Sequence, residues 1–250
     1  MNYTGLSEDA LRDIANWILK AGKNIPPVTD ITIHFAAYKG YLVFVKKLLD
    51  DGVNVDSEDF LNLNETPLMK AAKQGHLEVV KLLIENKADF ERKNEGKVNA
   101  LFMACKSGHL EIVQRLIEIG SNIHCECTFD KITPLTAASE FGHSKVAELL
   151  LQNGADVNCL EFHKVTPLYR ASENGHVETA KLLIKHGADI NFQGRKDRHT
   201  ALHIATQKGH YEVVKLLLKH GAKVDCLLEG GWTPLLLAIA TEQTRVRMIK

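Results

Sequence analysis

Residues 133 to 143 read TPLTAASEFGH and hold, within one short stretch, the side chains of a hydrolytic site. Thr133 and Ser139 offer hydroxyl nucleophiles, Glu140 a carboxylate and His143 an imidazole base. A catalytic set needs one nucleophile and one base held in one geometry, so it should occur once in a chain. This stretch recurs, and other repeats fill its positions with Asn99, Ser172, Cys105 or Ala72, so no one catalytic set is kept. The sequence therefore predicts that the stretch is part of a scaffold and that the protein is not an enzyme.

Two short motifs recur along the chain at a spacing of 33 or 34 residues. Thr-Pro-Leu or a close variant starts at Thr66, Asn99, Thr133, Thr166, Thr200 and Thr233. Gly-His starts at Gly75, Gly108, Gly142, Gly175 and Gly209. Because both motifs keep the same period in the same register, the chain repeats one supersecondary unit.

A third motif closes each repeat: GADVN at 154–158 and GADIN at 187–191, with looser forms starting at Gly120 and Gly221. Together the three motifs resemble the ankyrin repeat over residues 31–250. The resemblance implies an all-α ankyrin-repeat solenoid of stacked helix-turn-helix units with protruding finger loops. We expect six repeats and an incomplete seventh in one continuous solenoid. Residues 1–30 are predicted to form a capping helix or half-repeat, and the abrupt end at Lys250 predicts a longer protein.

The residues of one repeat agree with that resemblance. Pro67 suits the first turn of a helix, where its missing N–H would have had no partner. Gly75 can end that helix with a positive φ at little steric cost. Apolar residues at 79, 80, 83 and 84 then form one face of a second helix. Lys87 stands where other repeats have glycine, and a non-glycine residue in that conformation costs ~1 kcal/mol.

Composition excludes several other classes of function. Lys and Arg number 31 and Asp and Glu also number 31, so no net charge draws in nucleic acid or an anionic membrane. We see no secretory signal and no apolar run of the ~18 residues that span a bilayer. Five cysteines, an odd number, suit a reducing compartment. We expect a monomer in the cytoplasm or also in the nucleus.

Histidines and cysteines could suggest metal binding, but most of them belong to the repeat. Five of the twelve histidines are those of Gly-His. Cys125, Cys159 and Cys226 directly follow the closing motif, which suggests small packing residues, and Cys127 is expected to be a loop thiol. The sequence therefore predicts no metal site and no cofactor.

If the residues shared by all repeats build the fold, recognition must use the positions that differ between repeats. These positions are the finger loops and the residue pair after each Ala-Ala. Large aromatic residues at the finger tips predict contacts with a partner, because exposed rings and arginines dominate binding hot spots. Val98, Ile132 and Val165, which precede the next repeat, could instead fold back between fingers. The predicted partner-binding residues are Phe60, Lys73, Lys106, Phe129, Glu140, Phe141, Phe162, Glu173, Asn174, Arg195, Lys196, Arg198, Gln207, Lys208 and Trp232.

The main functional hypothesis is a non-catalytic protein-protein interaction module, a scaffold or adaptor. It would bind a protein or peptide on its concave face and fingers, and nucleic acid is not expected. Within that groove, acidic Glu140 and Glu173 would lie between basic residues on either side, which would set the direction of the bound partner.

An alternative is the ligand-sensing or targeting region of a longer enzyme. Residues 229–235, EGGWTPL, resemble the ligand-stacking finger of the ankyrin domain in the oligoadenylate-activated ribonuclease, and Trp232 could stack on a base. The ankyrin resemblance also implies that Asn158 and Asn191 can be hydroxylated at the β-carbon. The alternative role for both is a turn asparagine that ties down its loop.

Overall fold

The computed structural model describes residues 28–194 and 198–240. The chain divides into two compact units, an N-terminal unit of residues 1–121 and a C-terminal unit of residues 122–250. The predicted half-repeat at 1–30 lies almost entirely outside the described residues, as do Arg195 and Lys196 of the predicted binding set. Among the described helices, none has both the length and the apolar character needed to span a bilayer.

The N-terminal unit contains three helix pairs in its described part. They are α1 (Val28–Lys39) with α2 (Leu42–Asp50), α3 (Pro67–Gln74) with α4 (Leu77–Glu85), and α5 (Ala100–Ser107) with α6 (Leu110–Glu118). The first helices of the pairs, α1, α3 and α5, pack side by side, and the second helices form another layer behind them.

The C-terminal unit repeats this arrangement over its described residues. Its pairs are α7 (Pro134–Glu140) with α8 (Ser144–Gln152), α9 (Pro167–Glu173) with α10 (Val177–Lys185), and α11 (Ala201–Lys208) with α12 (Tyr211–Lys219). α9 lies between α7 and α11, and α10 lies between α8 and α12. Residues 234–240 are helical again. The predicted all-α repeat solenoid is confirmed.

Local sequence explains where the short helices begin and end. Thr66 Oγ1 accepts a hydrogen bond from the N–H of Met69 at 3.3 Å, and Pro67 occupies the first helical position. Gly75 ends α3 with φ 86°, and a Cβ there would lie 2.6 Å from the ring of His109. The position therefore requires glycine, because φ is positive and because a Cβ atom would have no room. Lys87 takes the predicted positive φ, at 66°.

The histidines of the Gly-His motif join neighbouring repeats. In the C-terminal unit, His176 Nε2 lies 2.9 Å from the carbonyl oxygen of Glu140, and His210 Nε2 lies 2.9 Å from that of Glu173. His109 Nε2 similarly lies 3.0 Å from the carbonyl oxygen of Lys73 in the N-terminal unit. Each imidazole N–H thus satisfies a carbonyl at the end of the preceding repeat's first helix.

The core lies between the helix layers, where the predicted apolar faces meet. Val79, Val80 and Leu83 of α4 are buried, and Leu183 of α10 is completely buried. Of the residues that precede a repeat, Val98 and Val165 fold into the core, whereas Ile132 is half-buried. Neither layer could bury its apolar surface alone, so the repeats depend on their neighbours.

Replacing Leu183 with alanine should destabilise the protein by ~2–5 kcal/mol, because it opens a cavity in a fully packed layer. Urea unfolding followed by circular dichroism measures the change. Leu218→Ala is the matched control, since Leu218 on α12 is already exposed. A loss for Leu183→Ala no larger than that of the control would contradict the placement of Leu183 in the core.

Candidate protein-interaction surface

In the N-terminal unit, the finger of residues 59–65 is held at its base by buried charges. Asp59 and Glu65 form an antiparallel bridge, and Lys70 Nζ from α3 lies 2.8 Å from Asp59 Oδ2 and 3.3 Å from Glu65 Oε2. Burial by itself would raise the pKa of Asp59, but Lys70 together with hydrogen bonds from Asn62 and the N–H of Leu61 lowers that pKa overall. The finger presents Phe60 at its exposed tip.

Two of the predicted basic residues also belong to the N-terminal unit. Lys73 is exposed and forms an ion pair with Glu65, with 3.4 Å between Nζ and Oε1. Lys106, at the matching position of the next repeat, is exposed on α5. Because part of its charge is balanced by Glu65, Lys73 contributes less positive potential than its sequence suggests.

In the C-terminal unit, two neighbouring fingers, 122–132 and 155–165, present exposed phenylalanines. Phe129 is 71% exposed and Phe162 is 66% exposed. The backbone N–H of Phe162 donates to the carbonyl oxygen of Asp130 at 2.8 Å. This bond lies beside both rings, so the two finger tips are fixed to each other, as a preformed binding edge requires.

The next finger, 188–199, packs closely against finger 155–165. A Cβ added to Gly194 would lie 1.9 Å from the carbonyl oxygen of Lys164, so the approach is possible only for glycine. The exposed Arg198 donates from Nε to Gln193 Oε1 at 3.0 Å. On the last finger, Trp232 is 45% exposed, as predicted.

A depression of about 470 Å³ lies on the C-terminal unit where α7, α9 and α11 end. Its lining consists of Glu140, Arg170, Glu173, Asn174, Lys208 and His210. Sequence reasoning found four of these residues and missed Arg170 and His210. His210 was assigned only to the repeating frame. Arg170 could have been noticed, because the same position is apolar in the repeats on either side, as Ala137 and Ile204.

Arg170 is paired with carboxylates at this depression. Its Nε donates to Glu161 Oε1 at 3.0 Å, its Nη2 to Glu161 Oε2 at 2.6 Å, and its Nη1 to Glu173 Oε2 at 3.1 Å. The hydrogen bonds to Glu161 raise the pKa of Arg170 against the effect of burial. Because the Glu161 side chain is fully buried, the charge of Arg170 is balanced internally, and Glu140 and Glu173 make the floor acidic around it.

Phe141 and Gln207 complete the predicted floor. Phe141 follows α7 and is 44% exposed, with its ring stacked on His143 at a centroid separation of 6.5 Å. Gln207 is exposed near the end of α11, next to Lys208. Neither residue is among those that line the depression, although each is next to a lining residue in the chain, Phe141 to Glu140 and Gln207 to Lys208.

The hydroxyls that first suggested catalysis instead form hydrogen bonds with the backbone of α7. Thr133 Oγ1 accepts from the N–H of Thr136 at 3.2 Å as the cap of α7, and Ser139 Oγ donates to the carbonyl oxygen of Leu135 at 2.8 Å. Within residues 28–194 and 198–240, no group of three or more His, Cys, Asp and Glu side chains is placed to hold a metal ion.

Asn158 and Asn191 tie neighbouring turns of the C-terminal unit together. Asn158 accepts from the N–H of Asp189 at 2.9 Å and donates to the carbonyl oxygen of Gly187 at 3.3 Å. Asn191 makes the same pair of bonds, to Lys223 and Gly221. Both asparagines therefore have the turn role that their sequence position allowed.

The comparisons with known proteins agree with this geometry. A family model of ankyrin repeats matches residues 8–94, 33–127, 101–194 and 192–249, and the chain belongs to the ankyrin-repeat family. Such repeats are generally protein-protein interaction modules. Among solved structures, the chain is similar to the ankyrin repeat domain of human ASB11, with a TM-score of 0.76 and 30% sequence identity. That match covers 84% of this chain and 94% of the ASB11 chain.

Arg170→Met should destabilise the protein by ~3–5 kcal/mol, because it leaves the carboxylate of Glu161 buried without a counter-charge. Urea unfolding at neutral pH measures the loss. The double variant Glu161→Gln/Arg170→Met should regain much of the stability, since it removes both charges together. If the single and double variants are equally stable, the ion pair is not what holds finger 155–165 to α9.

Proposed function

We propose that this protein is a non-catalytic scaffold or adaptor that binds a segment of a partner protein along the C-terminal unit. The observation that carries the proposal is the depression at the ends of α7, α9 and α11, which Glu140 and Glu173 line. The exposed Phe141 directly follows Glu140 in the chain. A concave site of this kind buries a ligand, and a few fixed polar groups orient it.

Apolar anchors supply most of the binding energy in this proposal. Phe129 and Phe162 project from neighbouring fingers, and the hydrogen bond from Phe162 to Asp130 fixes one finger to the other before a partner arrives. Little side-chain and loop entropy is then lost on binding. Phe141 is held against His143 and adds a third ring, on the floor.

Charged groups set the direction of the partner more than its affinity. Glu140 and Glu173 favour positive charge on the segment that lies over the depression, and Lys208 and Arg198 favour negative charge further along. In the N-terminal unit, Phe60, Lys73 and Lys106 are proposed as additional contacts. Asn174, Gln207 and Trp232 complete the proposed set, together with Arg195 and Lys196.

The test is to identify the partner by pull-down from cell extract and mass spectrometry, and then to measure its affinity for variants by calorimetry. Phe141→Ala and Phe162→Ala should each weaken binding by at least ~2 kcal/mol, which is roughly 30-fold. Folding should hardly change, because both rings are exposed. Tyr211→Ala is the control, since Tyr211 is exposed to about the same extent as Phe162 but lies on the outer helix α12.

Two results would contradict the proposed anchors. Either both phenylalanine variants bind as tightly as the parent, or one of them loses its circular dichroism signal and melting transition. If the chain is instead a ligand sensor, oligonucleotides should quench tryptophan fluorescence in the parent but not in Trp232→Phe. We do not expect such quenching, because the chain has no net positive charge.

We also propose that Asn158 and Asn191 are hydroxylated in animal cells. The β-carbon is the atom modified, and the side-chain hydrogen bonds of each asparagine use its amide group instead. Peptides from protein made in animal cells should carry a shift of ~16 Da, the mass of one added oxygen. Peptides that show no such shift would exclude the modification.

A further inference from the structure

Two thiols meet at the base of finger 122–132. The sulfur atoms of Cys125 and Cys127 lie 3.2 Å apart, and both side chains are buried. Glu126 between them faces solvent and pairs with Lys131 at 3.0 Å. The sequence predicted a loop thiol at Cys127, whereas the structure buries that thiol beside another.

The backbone explains why these two side chains converge. Alternate residues of an extended segment point to the same side, so Cys125 and Cys127 share a face that Glu126 does not. Two residues of extended chain span ~6.6 Å, which is within the range of Cα separations that a disulfide tolerates, ~4.4–6.8 Å. Only a small movement of the two side chains is needed for a bond.

Cys159 lies in a different setting in the same unit. Its sulfur lies 3.2 Å from Thr133 Oγ1, and burial raises the pKa of its thiol. Within the described part of the chain, the contacts of this sulfur are with the hydroxyls of Thr133 and Thr136, which cannot resolve an oxidised intermediate as a second thiol can. Cys159 is therefore an internal control for the chemistry of the pair.

We propose that Cys125 and Cys127 form a peroxide-sensitive dithiol. One cysteine loses its proton and its thiolate attacks hydrogen peroxide, so the O–O bond breaks and a sulfenic acid and hydroxide form; the hydroxide takes up the released proton and becomes water. The second thiol then attacks the sulfenic sulfur, so an S–S bond forms and a second water leaves. In sum, two thiols and one peroxide give one disulfide and two waters, with both thiol hydrogens carried away in the water.

Burial determines which oxidants can reach the pair. A protein oxidoreductase or glutathione disulfide must bring its own sulfur into line with a cysteine sulfur, which the covering side chains prevent. Hydrogen peroxide is small and uncharged, and it can enter when the finger opens locally. The base of the finger is closed by a bridge in which the N–H of Cys127 donates to the carbonyl oxygen of Ile132 at 2.8 Å.

Oxidation should also alter the finger that presents Phe129. The sulfurs must move from 3.2 Å to ~2.05 Å, which pulls on the bridge between Cys127 and Ile132. Phe129 lies between these two residues in the chain, so its presentation changes with the bond. This consequence for binding rests on the proposed function, whereas formation of the disulfide does not.

The full-length chain is treated with hydrogen peroxide, alkylated under denaturing conditions and digested with trypsin. Residues 116–131 form one tryptic peptide that contains Cys125 and Cys127 and no other cysteine, whereas Cys159 lies in peptide 146–164. We expect the first peptide to lose two hydrogens and to resist alkylation until a reductant is added. Peptide 146–164 should be alkylated as in untreated protein.

Three results would overturn the dithiol. Both cysteines of peptide 116–131 are still alkylated after peroxide, or they are oxidised to sulfinic acids, or glutathione disulfide oxidises them as readily as peroxide does. Cys127→Ser should abolish protection of Cys125, and Cys125→Ser provides the reciprocal variant if the first does not fold. If the disulfide forms but partner affinity is equal for the oxidised and reduced protein, the link to binding is wrong and the modification site stands.

Discussion

Each helix pair can bury its apolar face only against the next pair, and the rest of the structure depends on that constraint. It fixes which positions must be small or apolar, as with Val79, Val80 and Leu83 in one repeat and Leu183 in another. It also fixes the 33- or 34-residue period, because a repeat of another length would present its face out of register. What remains variable is the surface that no neighbouring repeat covers: the fingers and the ends of the first helices.

Two cations that pair with buried carboxylates show how this surface is made rigid. Lys70 in the N-terminal unit and Arg170 in the C-terminal unit occupy the same position of the repeat, and each contacts carboxylates of its own finger. A buried carboxylate without such a partner would be strongly unfavourable. The cations therefore act mainly within the protein. The charge at the surface of the depression is set by neighbouring groups such as Glu140 and Glu173.

The sequence predicted most of the fold because the frame repeats. Helix starts, the glycine that ends α3 and the positive φ of Lys87 all followed from local rules applied to one repeat. Exposure of Phe129 and Phe162 followed from their place in the fingers. The contact of Arg170 with Glu161 was missed, because only two repeats carry a cation at this position, as Lys70 and Arg170, and the shared motifs do not mark it. Burial of Cys127 was missed because Cys127 also lies outside those motifs.

The hydrogen bonds of His176 and His210 hold the backbone of Glu140 and Glu173, and the side chains of these two glutamates take no part in them. The backbone at Glu140 and Glu173 is held by an imidazole that belongs to the following repeat, while their side chains line the depression. Substitution of either side chain therefore leaves the carbonyl position unchanged. The side chain at this position can therefore differ between repeats, as Lys73, Glu140 and Glu173 do, while the backbone beneath it keeps one arrangement.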